Sequence, residues 1–220
     1  MIAVALIIIM RPTTTPAKNP TADTTRPSTP ATIPADIATV RPSDTDHVRG
    51  DLTTAQVLIF EYSDSDCPYC EKFHPVLQQV VNDYKGKVAW VYRFYPLSIH
   101  PDSFNESLAL QCVGQIGGAK AFNTYLDTII NVTLTPGQQS DKLLATMATS
   151  QGIDQTKFKA CIASSAATKA VQDGIDEAQA IGAQGTPFSI LVNVKTGKQI
   201  IIPGSYPIAD VKKDIDSLLQ

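Results

Sequence analysis

The sequence predicts an α/β fold in which a βαβ unit and a closing ββα unit are separated by an inserted block of helices. Three observations carry this. A continuous apolar run, Gln56–Tyr62, passes through a short polar loop directly into helically spaced apolar residues. Near the other end, Phe188–Asn193 and Gln199–Ile202 flank Lys195-Thr196-Gly197-Lys198, a hairpin turn signal. The stretch between the two units keeps a helical apolar period for far longer than one connecting helix requires.

Taken in order, Gln56–Tyr62 is rich in β-branched and aromatic residues and reads as a buried strand ending in the Ser63-Asp64-Ser65-Asp66 loop. Phe73, Val76, Leu77, Val80, Val81 and Tyr84 then recur at helical spacing, with Pro68 at a position where a helix tolerates a missing N–H. Lys87–Phe94 reads as a second strand, completing a unit whose crossover should be right-handed. Leu108, Cys112 and Ile116, Phe122, Leu126 and Ile129, Leu143 with Met147, Phe158 with Ile162, and Val171 with Ile175 mark successive helices. Gly117-Gly118, Thr135-Pro136-Gly137 and Gly152 separate them. A helical insertion of about 70 to 80 residues, at about 100–180, accounts for this length. Ile208, Val211, Ile215 and Leu218 give a closing amphipathic helix. A βαβ half followed by a ββα half is the order of a thioredoxin-like sheet, so the fold class expected is a thioredoxin-like fold with an inserted helical subdomain.

The 220 residues leave room for one such domain and a tail. Seven of the 15 prolines fall before position 45, in a segment of Thr, Pro and Ala that cannot bury a core. Residues 11–45 are therefore expected to be an extended, solvated linker, with the domain at 46–220. Met1–Met10 is almost wholly apolar, shorter than the roughly 20 residues of a full membrane span, and not preceded by a basic region. It reads as the remnant of a signal or anchor, and the expectation is an exported domain held to a membrane by a Pro/Thr stalk. Four cysteines, an even number, fit an oxidising compartment. With 18 Lys plus Arg against 21 Asp plus Glu and no basic stripe, nothing in the chain suits nucleic acid.

The chemistry is concentrated in Cys67-Pro68-Tyr69-Cys70, two thiols two residues apart at a strand-to-helix junction. Cys67 falls at or near the helix N-cap, where unpaired backbone N–H groups and the positive end of the dipole favour a thiolate, so it is the expected attacking sulfur. Cys70, one turn in, is the expected resolving thiol. A structural zinc site needs two more ligands, and the chain holds no second Cys-x-x-Cys or His pair; His74 supplies at most a third. The expectation is disulfide exchange with no metal and no cofactor, and a metal-handling module built on Cys67, Cys70 and His74 is the alternative from another class.

Residues 46–220 resemble the DsbA-like family of thiol-disulfide oxidoreductases. The likeness rests on Asp46-His47-Val48-Arg49-Gly50, on Glu61-Tyr62-Ser63-Asp64 leading to the cysteine pair, and on Phe73-His74-Pro75. It continues through Val91–Leu97, Gly185-Thr186-Pro187 and the helical insertion. Cys-Pro-Tyr-Cys is shared with glutaredoxins, but those lack the long insertion. The resemblance implies that Pro187 is a cis-proline whose loop faces the cysteines, and that Glu61 is an acidic residue beneath them, able to relay protons to Cys70. It also implies that Pro68, Tyr69, Thr186 and Pro187 meet the substrate. An X-Pro amide is where a cis bond is cheap, and an extended peptide can pair with the Thr186 backbone. The substrates implied are cysteine-containing exported proteins, reoxidation by a DsbB-like membrane partner is implied with them, and no dimerisation domain is evident, which suits a monomer. Cys112 and Cys161 are the two cysteines left, both on insertion helices. Members with cysteines at similar places favour a structural disulfide over the alternative of two buried free thiols. The direction of exchange, oxidase or reductase and isomerase, is left open by Pro68-Tyr69.

Overall fold

The computed structural model describes residues 40–131 and 141–220. The apolar run at 1–10, most of the expected linker and the Thr135-Pro136-Gly137 breaker lie outside the described residues. Five strands form one mixed sheet: β1 (His47–Arg49), β2 (Val57–Ser63), β3 (Val88–Phe94), β4 (Phe188–Asn193) and β5 (Gln199–Pro203). Their order is β1-β3-β2-β4-β5. β2 and β3 run parallel, joined over α1 (Pro68–Asp83), and the other three pairs are antiparallel.

Strand parity sorts the side chains between two cores. Val57 and Ile59 of β2 join Trp90 and Tyr92 of β3 under α1, whose Phe73, Leu77 and Val80 are fully buried at helical spacing. Leu58, Phe60 and Tyr62 go to the opposite face with Ala89, Val91 and Ile190. Each of the large side chains contributes roughly 1.5–3 kcal/mol by leaving water. Glu61 has the parity of Val57 and Ile59, so its carboxyl is directed into the α1 core. Helix α6 (Ile208–Leu218) buries Val211, Ile215 and Leu218 in that same core.

The inserted helices are α2 (Ser103–Ile129), α3 (Asp141–Ser150), α4 (Gln155–Ile162) and α5 (Ser165–Ala180). Side-chain caps start two of them: Asp154 accepts from Lys157 N–H at 2.8 Å and Ser164 from Ala167 N–H at 3.1 Å. Gly117-Gly118 breaks the helical run as expected, so that the span of α2 is two helical segments meeting at a kink. Gly118 has φ 74° there, a conformation open to glycine. Helix α5 is not confined to the insertion. Its Val171 lies in the α1-side core, while Ala178 lies in the core of the opposite face.

Two expectations are corrected at the N-terminal edge. His47–Arg49 is a strand in its own right, antiparallel to β3 with Val48 opposite Val91. Three residues are too few for any period to show. Residues 40–45, assigned by composition to the linker, are held against the domain: Val40 is buried with the Leu58 and Phe60 core, and the Arg41 carbonyl accepts from Arg93 at 2.7 Å.

Candidate active site

The parallel strand β2 delivers the chain to a loop and then to α1, and the loop fixes where the first thiol sits. Cys67 is the N-cap of α1 with extended backbone (φ −85°, ψ 122°), and Pro68 opens the helix where no N–H partner is needed. Cys67 N–H donates to the Asp64 carbonyl at 3.1 Å, and its own carbonyl accepts from Glu71 N–H at 3.0 Å. From across the site comes the loop before β4. The Thr186–Pro187 bond is cis, and the Thr186 carbonyl oxygen lies 3.5 Å from Cys67 Sγ. Pro68 and Tyr69 are exposed, Tyr69 with 61% of its surface in solvent, whereas Cys70 is completely buried.

These surroundings make the two sulfurs unequal. The Cys67 thiol is lowered to about 6, chiefly by the hydrogen bond from Cys70 and, against the cost of burial, by Thr186 and the backbone N–H groups of Cys70 and Tyr69. Burial drives Cys70 the other way, well above its ordinary range, and the hydrogen bond it gives to Cys67 and the charge of Glu61 add to the rise. Glu61 is itself 1% exposed. Burial pushes its carboxyl up to about 8, against the pull of the Ser63 hydroxyl, which donates to Oε1 at 3.1 Å, and of the Trp90 indole. A carboxyl of that kind holds a proton near neutrality and stands electrostatically coupled to both thiols.

The other sequence-selected residues lie elsewhere. Cys112 of α2 and Cys161 of α4 are joined in a disulfide with Cα atoms 5.7 Å apart, inside the insertion. His74 is turned away from the sulfurs: it is buried, bonded through Nε2 to Asp127 at 2.7 Å, and packed edge-on to Trp90. Among the described residues no group of three or more His, Cys, Asp or Glu side chains is arranged to hold a metal ion.

Three side chains near the site were given no role by the sequence. Asp64 is fully buried between the catalytic loop and the segment leading into α2, and His100 is bonded to it at 2.7 Å. Glu106 of α2 is 1% exposed, with its carboxyl raised to about 7 by burial and by the neighbouring Asp66, Asp64 and Asp102. The signal available was the run Ser63-Asp64-Ser65-Asp66, whose Asx chemistry marks a built loop without naming its distant partners.

A family model described as thioredoxin matches residues 42–203. Among solved structures, the chain is similar to DsbA2 of Pseudomonas aeruginosa, with 25% identity and a TM-score of 0.69 over 81% of this chain and 96% of that one. It is also similar to alpha-DsbA2 of Wolbachia pipientis, a thiol-disulfide exchange protein, with 20% identity and a TM-score of 0.65 over 80% of this chain and 88% of the other. Among curated proteins it is 28% identical over 145 residues to the Na(+)/H(+) antiporter NhaA 1 of Salinispora arenicola, which covers 66% of this chain and 21% of the antiporter. The chain thus spans about a fifth of that relative's length.

Proposed function

Because the chain belongs to the thioredoxin family and shares the fold of DsbA-type thiol-disulfide oxidoreductases, we propose that it is an exported dithiol oxidase that introduces disulfides into secreted proteins through Cys67 and Cys70. The observation that carries this reading is the inequality of the two sulfurs: one thiol lowered at a helix N-cap beside a cis-proline loop, its partner buried and raised. In the oxidised protein a substrate thiolate attacks Cys67 Sγ, a mixed disulfide forms and the Cys67–Cys70 bond breaks. Cys70 leaves as a thiolate and takes a proton, for which Glu61 is the nearby acid. The substrate's second thiolate then attacks the substrate sulfur of the mixed disulfide, and Cys67 departs as the stabilised thiolate. Two electrons have passed from the substrate dithiol to the protein.

Stabilising the reduced form in this way favours oxidation of the substrate, because a couple with a settled thiolate gives up its disulfide readily. Thr186 offers its backbone to an extended peptide and Tyr69 its exposed ring. Reoxidation then falls to a DsbB-like membrane partner, and the protein works as a monomer outside the cytoplasm. Among the described residues no helix is long and apolar enough to cross a membrane. The deciding experiment is the equilibrium potential of the Cys67/Cys70 couple against glutathione. A couple more oxidising than the glutathione pool supports the oxidase, and one far more reducing assigns the chain to reduction or isomerisation.

A further inference from the structure

The loop that carries Cys67 hangs on one buried carboxylate. Asp64 Oδ1 accepts from the Asp66 backbone N–H at 3.0 Å and from the Ser103 hydroxyl at 2.6 Å. Its Oδ2 accepts from the Leu97 N–H at 2.8 Å and lies 2.7 Å from His100 Nδ1. Four partners come close to filling the capacity of a carboxylate, which a fully buried charge requires. They tie the residue three positions before Cys67 to the segment that enters α2, a turn closed by His100 N–H on the Leu97 carbonyl at 2.9 Å. Of the four, the two amides and the hydroxyl keep one state at any ordinary pH. His100 alone titrates, and its side chain, 18% exposed, can exchange protons with solvent.

We propose that His100 is a positioning residue for Cys67: through Asp64 it fixes the loop that carries the sulfur, and as the imidazolium it brings a positive charge to that loop. The charged groups that act on it are Asp64, to which it is bonded, Asp66 of the same loop and Cys67 at the α1 N-cap, while Asp102 and Glu106 at the start of α2 act on Asp66. Burial pulls the His100 pKa down, but the Asp64 bond and charge, Cys67 and Asp66 together raise it above its ordinary value. A Coulomb attraction is mutual, so the sulfur that favours the imidazolium is favoured by it. The functional meaning of this rests on the exchange reading, while its test does not.

His100→Gln keeps a side-chain donor and removes the charge. Followed by ultraviolet thiolate absorbance in the reduced full chain, Cys67 of H100Q is expected to titrate about half a pH unit or more above wild type, the size of effect one partly screened charge exerts at close range. His100→Lys, which carries a charge throughout this range, should bring the Cys67 midpoint back towards wild type. The reciprocal measurement uses the native ring: in Cys67→Ser the His100 imidazole, followed by NMR, should titrate lower than in wild type. Superimposable Cys67 curves for wild type and H100Q overturn the proposal, as does a shift that H100K fails to reverse or a His100 midpoint indifferent to C67S. Should the wild-type protein exchange no disulfide with glutathione, the proposed function falls, and the three titrations still judge His100.

Discussion

Cys67 and Cys70 lie one helical turn apart and both are buried, yet the Cys70 S–H and backbone donors reach the first while burial and the charge of Glu61 weigh on the second. Alkylation of the reduced protein should therefore follow a single thiolate with a midpoint near pH 6, at Cys67. Cys67→Ser should abolish exchange and Cys70→Ser should accumulate mixed disulfides. Equal alkylation rates at the two sulfurs would contradict the assignment. Glu61 gives a second prediction at this scale. Its folded pKa of about 8 lies above the unfolded value near 4.5, so its contribution to stability is fully present below about pH 4.5 and is lost as pH rises to about 8. Glu61→Gln should remove a fall in stability on the order of a few kcal/mol across that window. Urea midpoints at pH 5 and pH 8 check this, and a variant that keeps the wild-type difference would refute it.

Among the elements, α5 has the most demanding contact. Gly174 lies against the last residue of β3, where a Cβ would collide with the Phe94 carbonyl oxygen. That backbone cannot yield without disturbing the end of the strand beside β2, since Tyr95 N–H donates to the Ser63 carbonyl at 2.8 Å. Gly174→Ala should therefore destabilise by about 1–3 kcal/mol, despite alanine's better helix propensity. Chemical denaturation measures it, and a variant as stable as wild type would show that α5 can shift freely. The short β1 has a different dependence. His47 stacks on Phe122 with centroids 3.8 Å apart and bonds Gln111 at 2.8 Å, and the Asn123 amide donates to the Val48 carbonyl at 3.0 Å. Those anchors are all on α2, far along the chain, so no local pattern announces the strand.

For the molecule as a whole, one core spans the sheet and the insertion: Cys112, Phe122 and Phe158 share it with Trp90 and Leu77. The Cys112–Cys161 bond closes a loop of 49 residues within that core. In the chain-entropy account such a loop stabilises the fold by about 4 kcal/mol. The double variant Cys112→Ser, Cys161→Ser should lower the urea midpoint by a corresponding amount and leave the Cys67 alkylation midpoint unchanged, because neither cysteine is among the groups bonded to Asp64 or acting on Cys67. A change in the alkylation midpoint would show that the insertion and the site are coupled more tightly than their separate contacts indicate.

By itself the sequence determined those features that local chemistry enforces. The apolar run of β2, the proline-opened helix and the hairpin signal at Lys195–Lys198 place the two halves of the sheet, and Cys67 at a helix N-cap follows from the spacing alone. The insertion's length and period were legible for the same reason, since burying one helical face writes itself every three to four residues. Tertiary structure decided what depends on partners brought from afar. The proximity of Thr186 to Cys67, the bonds from Leu97, His100 and Ser103 to Asp64, the edge position of β1 and the arrival of α5 at the far face each join residues separated by tens of positions. A buried carboxylate or a three-residue strand has no period to read, because its stability comes from neighbours that only the folded chain supplies.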